Sequence, residues 1–260
     1  MSKKKNLTSI PNNNKPNLIP KPHKGTVAIA WCDNGMVDGK FAEGMVALGL
    51  QAPANGLNIT HSIRVAGNQI GRQRQALFDH WADHLKTDWI LWVDSDIVVE
   101  IQEVMELFMA ADAKERPIVS GVYFISKQAE GTLANPMPAI FTEITDTTIR
   151  HVHPLPINEL IQIDSAGMGF VLMHKSIIPK LREVFPNQSL FAEIEHIGDR
   201  YVGEDIVFFQ KVKKAGIPVY AWTGALVKHV KRFNFDVDYY NLYWGMAHIK
   251  EQLKNQNKEQ

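Results

Sequence analysis

The stretch that most limits what this chain can fold into is Thr87–Glu100, Thr-Asp-Trp-Ile-Leu-Trp-Val-Asp-Ser-Asp-Ile-Val-Val-Glu, in which a short apolar run ends in two carboxylates one residue apart. Trp89–Val93 is too short to span a bilayer. It is rich in aromatic and β-branched residues and follows a segment of helical period, which is the pattern of a strand buried on both faces of an α/β sheet. Asp94 and Asp96 then fall where the strand leaves the sheet, the edge at which open α/β folds gather their ligands. A capping role explains one such Asp. Two, with no Lys or Arg adjacent, suit a hard divalent cation better.

The rest of the chain alternates in the same way. Thr26–Trp31 reads as the first strand, and Cys32-Asp33-Asn34-Gly35 as the turn after it, so Asp33 is a second acidic group on the ligand edge. Phe41–Leu50 reads as a short helix and Leu57–His61 as a strand. Asn68–Lys86 repeats Ile70, Leu77, Phe78, Trp81 and Leu85 at helical spacing and carries Arg72 and Arg74. After Asp96 come a helix to about Asp112 and a strand over Ile118–Phe124. The order β-α-β-α-β-α-β predicts a mostly parallel, twisted sheet with right-handed crossovers, flanked by helices. Shorter strands over 139–144, 148–152 and 160–163 form a small antiparallel extension, and Ser126–Pro138 reads as a mobile loop beside the ligand edge.

Three later segments carry further chemistry. Ala166-Gly167-Met168-Gly169-Phe170 joins small residues to a hydrophobic strand; Gly167, Met168 and Gly169 either let backbone approach an acceptor or make a tight turn. Gly203-Glu204-Asp205 opens a helix, where the helix dipole alone favours acids; two adjacent carboxylates at a cleft also suit general-base work. The closing strands, 217–222 and 225–230, lead into Lys228-His229-Val230-Lys231-Arg232, an imidazole able to join oxygen ligands and cations able to meet phosphate. A carboxyl-terminal helix places Tyr239, Leu242, Tyr243, Met246 and Leu253 on one apolar stripe, a core or dimer contact.

Charge and cysteine content narrow the class. Twenty-eight basic and twenty-eight acidic residues cancel, so an anionic ligand has to be met by local charge. The single cysteine, Cys32, excludes an internal disulfide framework and fits a reducing compartment, and no apolar run reaches the length of a transmembrane helix. The expectation is a cytoplasmic protein with a disordered basic tail over 1–24 and a single domain over 25–260.

These residues, in this order, resemble the GT-A fold glycosyltransferases, family 2-like, from about Gly25 to Asn234: the first strand ending at Asp33, Arg74-Gln75-Ala76-Leu77, Leu-Trp-Val-Asp94-Ser95-Asp96, Ser120-Gly121-Val122-Tyr123, Ala166-Gly167-Met168-Gly169-Phe170, Gly203-Glu204-Asp205 and Val227-Lys228-His229. The chain departs from the pattern at Arg74-Gln75, where relatives often have Arg-Asn. The resemblance implies a GT-A type fold and transfer of a sugar from a nucleotide-sugar donor such as a UDP-sugar to an acceptor hydroxyl, with inversion and with Mn²⁺ or Mg²⁺. It implies Asp96 as direct metal ligand, Asp94 as indirect ligand or ribose contact, and His229 as the further metal ligand. Asp33, Arg74, Ser95, Lys228 and Arg232 fall on the donor side, and Asp205 becomes the base, with Glu204 its alternative or an acceptor contact. The acceptor stays open among glycan, protein, small molecule and modified nucleobase. A sugar-1-phosphate nucleotidyltransferase and a non-catalytic nucleotide- or glycan-binding module are the rival readings, and the carboxyl-terminal helix is the candidate homodimer contact.

Overall fold

A computed structural model describes residues 25–126, 136–144, 148–191, 194–197, 200–231 and 237–256. The expected tail, most of the expected loop over 126–138, and Arg232 lie outside the described residues. The central sheet has seven strands, numbered here in chain order: β1 Thr26–Asp33, β2 Asn58–Ala66, β3 Trp89–Val93, β4 Ile118–Val122, β5 Leu160–Ile163, β6 Phe170–His174 and β7 Val219–Leu226. Their spatial order is β5-β7-β4-β6-β3-β1-β2. Parallel pairing joins β1 to β2, β1 to β3 and β4 to β7, while β6 runs antiparallel between β3 and β4, and β5 runs antiparallel on the β7 edge.

This is the mostly parallel α/β plan expected of a GT-A type fold, with one refinement. The hydrophobic strand after the Gly-X-Gly turn enters the middle of the sheet instead of extending it, so the glycine segment lies directly beside the acidic strand. Phe170 is paired with Val93 in that register. The two closing strands expected from the sequence are a single strand, β7, followed by a short piece at Lys228–His229.

Helices α1 Gly39–Gln51, α2 Ile70–His80, α3 Ile101–Ala110, α4 Ile177–Val184, α5 Glu204–Lys214 and α6 Val237–Gln256 accompany the sheet, and Ser165–Ala166, Ile140–Ile144 and Ile149–His151 pair as a separate small antiparallel sheet, which Leu160–Ile163 does not join. Side chains alternate across the strands, so two cores form on opposite faces of the sheet. Ile90 and Trp92 pack with Leu77, Phe78 and Phe208 on one face, and Leu91 and Val93 with Phe41, Leu107 and Phe170 on the other. All five residues of β3 are buried. No described helix is long and apolar enough to cross a membrane.

Candidate active site at the carboxyl end of β3

Because β3 is covered on both faces, its chain must leave the sheet before polar groups can reach water. It does so through a tight turn: the Asp94 amide donates to the Gly169 carbonyl at 3.0 Å, and the Ile97 amide returns to the Asp94 carbonyl at 2.9 Å. Ile97–Val98 then pairs antiparallel with Lys228–His229, with His229 opposite Ile97. The Val230 amide donates to the Asp96 carbonyl at 2.8 Å. This short ladder brings His229 to Asp96 across 133 positions of the sequence.

The two side chains meet in a specific way. His229 Nδ1 lies 2.8 Å from the Phe124 carbonyl and Nε2 lies 3.1 Å from Asp96 Oδ2. A carbonyl only accepts, so Nδ1 carries a proton, and Nε2 is the ring nitrogen turned toward the carboxylate. An ionised carboxylate also only accepts, so this contact calls for a proton or a cation on it. Lys231 Nζ, 2.6 Å from the same Asp96 oxygen, supplies positive charge there. Burial pushes the Asp96 carboxyl up, but hydrogen bonds from His229 and Lys231 prevail and bring it down to about 2. Tyr123 closes the other side of the imidazole, its ring 5.1 Å from the His229 ring and nearly perpendicular to it.

Asp94 faces away from this pair. Arg74, only 4% exposed, donates through one terminal nitrogen to both Asp94 oxygens at 3.0 and 3.2 Å. Its Nε stands 3.0 Å from Glu204 Oε1, an ionic contact whose N–H is not aligned for a hydrogen bond. Burial works against the guanidinium charge, but Asp94 and Glu204 outweigh it and hold the group firmly protonated. Arg74 therefore ties the acidic turn after β3 to the start of α5. The expected donor contact is occupied inside the protein, because its charge is the counter-charge of two carboxylates.

At the start of α5, Asp205 Oδ1 accepts from the Ile206 amide at 2.7 Å, as the first helical turn favours. Burial nevertheless pushes its carboxyl up to about 6, and the charge of Glu204 adds to the rise. The two acids of the motif thus differ. Glu204 is paired with Arg74, whereas Asp205 holds its proton into the range used by general bases.

Asp33, at the end of β1, is held by Arg64 through two bonds of 2.5 and 2.7 Å and by the Gly35 amide at 2.6 Å. The Arg64 hydrogen bond, stronger than the opposing effect of burial, keeps its carboxyl below the usual range. The guanidinium also stands 5.3 Å from the Trp31 ring centre. Lys228 is exposed and paired with Glu100 at 2.9 Å. Asp33, Ser95 and both motif aspartates line an open cleft of about 400 Å³ with Cys32 and Gln73. A larger hollow of about 710 Å³, between the outer side of α2 and the segment after α4, shares no residue with it.

The Gly167-Met168-Gly169 segment corrects an expectation. Met168 is in the core, not at a ligand surface. A Cβ on Gly167 would sit 2.0 Å from the Tyr123 hydroxyl, and one on Gly169 about 3.0 Å from the ring. The Gly169 amide donates to that hydroxyl at 3.3 Å. The close backbone approach here is to Tyr123. Sequence reasoning missed Tyr123 as a support of both His229 and the glycine turn, Lys231 as partner of Asp96, and Gln73, whose amide donates to the Asp33 and Val65 carbonyls at 2.9 and 2.8 Å. The aromatic directly after the Ile118–Val122 strand was the available signal for the first.

Among the described residues no group of three or more His, Cys, Asp and Glu side chains is gathered as a metal cage. Asp96 and His229 form a two-residue donor set. That number fits a cation of the Mg²⁺ or Mn²⁺ kind, which takes one or two protein carboxylates and completes its shell with substrate phosphates and water.

No family model matches this chain, and no curated protein matches it. Among solved structures, A197 from STIV is similar over 80% of this chain and 86% of its own, with 17% identity and a TM-score of 0.49. GalNAc-T7, solved with UDP, GalNAc and Mn²⁺, is similar over 81% of this chain and 44% of its own, with 9% identity and a TM-score of 0.47. Likenesses this distant carry no functional weight, and the functional reading rests on the residues above.

Proposed function

We propose that this protein is a divalent-metal-dependent glycosyltransferase that moves a sugar from a nucleoside diphosphate sugar, such as a UDP-sugar, to an acceptor hydroxyl. The observation that carries the proposal is the meeting of His229 Nε2 and Asp96 Oδ2 at the carboxyl edge of β3, with an imidazole proton fixed on Nδ1 by the Phe124 carbonyl. Asp96 and His229 would hold Mn²⁺ or Mg²⁺, which offsets charge on a diphosphate leaving group. Asp94 stands one residue away, oriented by Arg74, for an indirect metal contact or a ribose hydroxyl. Ser95 and Asp33 line the same cleft on the donor side, Asp33 braced by Arg64.

Asp205 is the base in this proposal. It takes the proton of the acceptor hydroxyl as that oxygen bonds to the anomeric carbon and the bond to the diphosphate oxygen breaks, which inverts the centre. Glu204, committed to Arg74, orients the helix that carries the base. Lys231 would meet the diphosphate once a cation takes its place at Asp96, and Arg232, next in sequence, would add a second positive charge.

The test is incubation with a panel of nucleoside diphosphate sugars and Mn²⁺, reading free nucleoside diphosphate. Release that requires metal and disappears in Asp96→Ala supports transfer. Pyrophosphate formed from a nucleoside triphosphate and a sugar phosphate would replace it with nucleotidyl transfer, and metal-dependent nucleotide binding without turnover would leave a binding module.

A further inference from the structure

Arg74 and Gln75 are consecutive on α2, and successive side chains of a helix point about 100° apart. Arg74 reaches the acidic turn and Glu204. Gln75 turns instead to the segment after α4, where its Oε1 accepts from the Leu190 amide at 2.6 Å and from the Phe191 amide at 3.2 Å. Backbone N–H groups only donate, so the carboxamide oxygen has to face them, and Nε2 is left to donate to Asp79 Oδ1 at 2.9 Å. A carboxylate has no N–H and an alkyl chain has neither group, so the carboxamide answers both neighbours at once.

What Gln75 holds in this way is packed against both halves of the site. Leu190 and Phe191 are buried. The Phe191 ring stacks on Phe208 of α5, with 4.5 Å between centres and 6° between planes, and lies 6.0 Å from the Trp92 ring of β3. Lys211 of α5 donates to the Ser189 carbonyl at 2.6 Å. Trp92 precedes Asp94 by two residues, and Phe208 follows Asp205 by three. Phe191 is therefore an aromatic spacer between the strand that ends in the acidic turn and the helix that begins with the base. The same stretch of chain leads into the hairpin of Ile194–Ile197 and Arg200–Gly203, where Ile194 pairs with Gly203, the residue before Glu204. Close-packed interiors transmit a displacement at such a point instead of absorbing it.

We infer that Gln75 is a positioning residue for the proposed transfer: by seating Phe191 between Trp92 and Phe208, it sets where the first turn of α5 holds Asp205 relative to the acidic turn after β3. The inference rests on the reading of Asp205 as the base. Gln75 acts through Phe191 and α5, with no contact to substrate assigned to it.

Steady-state kinetics of Gln75→Leu in the full chain, with Mn²⁺ and the donor that the wild type turns over, tests it. The expected kcat is at least about tenfold lower, since a displacement of about 1 Å produced far from the chemistry costs up to about 100-fold. The donor KM should stay within about twofold of wild type, because Asp96, His229 and Asp33 are untouched. As α5 shifts, Asp205 loses burial, so the pH at which kcat/KM levels off should fall below about 6. Gln75→Glu combined with Asp79→Asn restores an acceptor for the two amides and a donor beside it, and should bring kcat back to within about threefold of wild type. If Gln75→Leu does not fold, Gln75→Asn, which carries both groups on a shorter stem, should show the same split of kcat from KM. Wild-type kcat with an unmoved pH profile overturns the inference, as does a loss that the paired exchange leaves in place. A wild-type chain that releases no nucleoside diphosphate from any donor overturns the reaction instead, and the positioning is then read without turnover. The stability contributed by Asp205 is lost as pH rises through about 6 in the wild type and should be lost at lower pH in Gln75→Leu. An unmoved midpoint in that titration overturns the inference.

Discussion

His229 faces Asp96 with its Nε2 at 3.1 Å while its Nδ1 is committed to the Phe124 carbonyl at 2.8 Å, so the direction of the ring is fixed before any ligand arrives. The Asp96 oxygen it faces is shared with Lys231. A divalent cation bound there competes with the ammonium. Lys231→Met should therefore tighten Mn²⁺ binding in the absence of nucleotide by about twofold to fivefold, the size expected for one exposed charge. Calorimetric titration with Mn²⁺ reads it directly. Unchanged or weakened binding would show that Lys231 does not occupy the cation's place.

Arg74 links the acidic turn after β3 to the first turn of α5. Replacing it with Met leaves Glu204, mostly buried, and Asp94, partly exposed at the cleft, with no counter-charge. A loss of about 3 kcal/mol of folding stability is expected, the low end of the range for removing one partner of a buried ion pair. Arg74→Lys should recover less than half, since a single ammonium cannot span both carboxylates as a guanidinium fork does. Chemical denaturation measures both variants, and a cost below about 1 kcal/mol for Arg74→Met, the size of a surface pair, would remove Arg74 from this role.

Gly167 and Tyr123 should behave as a coupled pair. Gly167→Ala brings a methyl to 2.0 Å from a buried hydroxyl. Overpacking of this kind costs about 1–3 kcal/mol, and the displaced ring also carries the packing against His229. Tyr123→Phe removes the hydroxyl but keeps the ring. The double variant should be less destabilised than the sum of the single ones, by about 0.5 kcal/mol or more. Strict additivity in denaturant midpoints would separate the two residues.

What the sequence made legible was local. Trp89–Val93 had to be a buried strand whatever surrounded it, and the position of Asp94 and Asp96 at its end followed. The alternation of the first half gave β1, α2, β3, α3 and β4 within a few residues. Contacts between distant segments were hidden in the residues themselves. Arg74 on an amphipathic helix looks like an outward cation until Asp94 and Glu204, 20 and 130 positions later in the sequence, are placed against it. Gly167 looks like a ligand-facing glycine until Tyr123 is known to fill the space a side chain would need. Thr223-Gly224 looks like a break between two strands. Trp222 lies over Gly224, where a Cβ would be 2.6 Å from the indole nitrogen, so the glycine is a site of close packing and β7 runs through it. The insertion of β6 between β3 and β4 has no local signature, since pairing partners depend on the whole sheet.

Asp205 gives a pH dependence with two opposite arms. Its carboxyl is raised by burial and by Glu204 from an ordinary 3.8 to about 6, so the folded protein holds this proton more tightly than the unfolded chain. The stability this group contributes is complete below the unfolded value and is lost as pH rises through about 6. A base works in the other direction: the ionised form accumulates above about 6, so kcat/KM for nucleoside diphosphate release should rise about tenfold per pH unit below that point and level off above it. Asp205→Asn should remove both arms, flattening the stability of the metal-free protein between pH 4 and 7 and abolishing transfer while donor binding persists. Stability that still falls over this pH interval in Asp205→Asn would place the titrating group elsewhere. Transfer at the wild-type rate in the same variant would remove Asp205 as the base and leave the fold of the site intact.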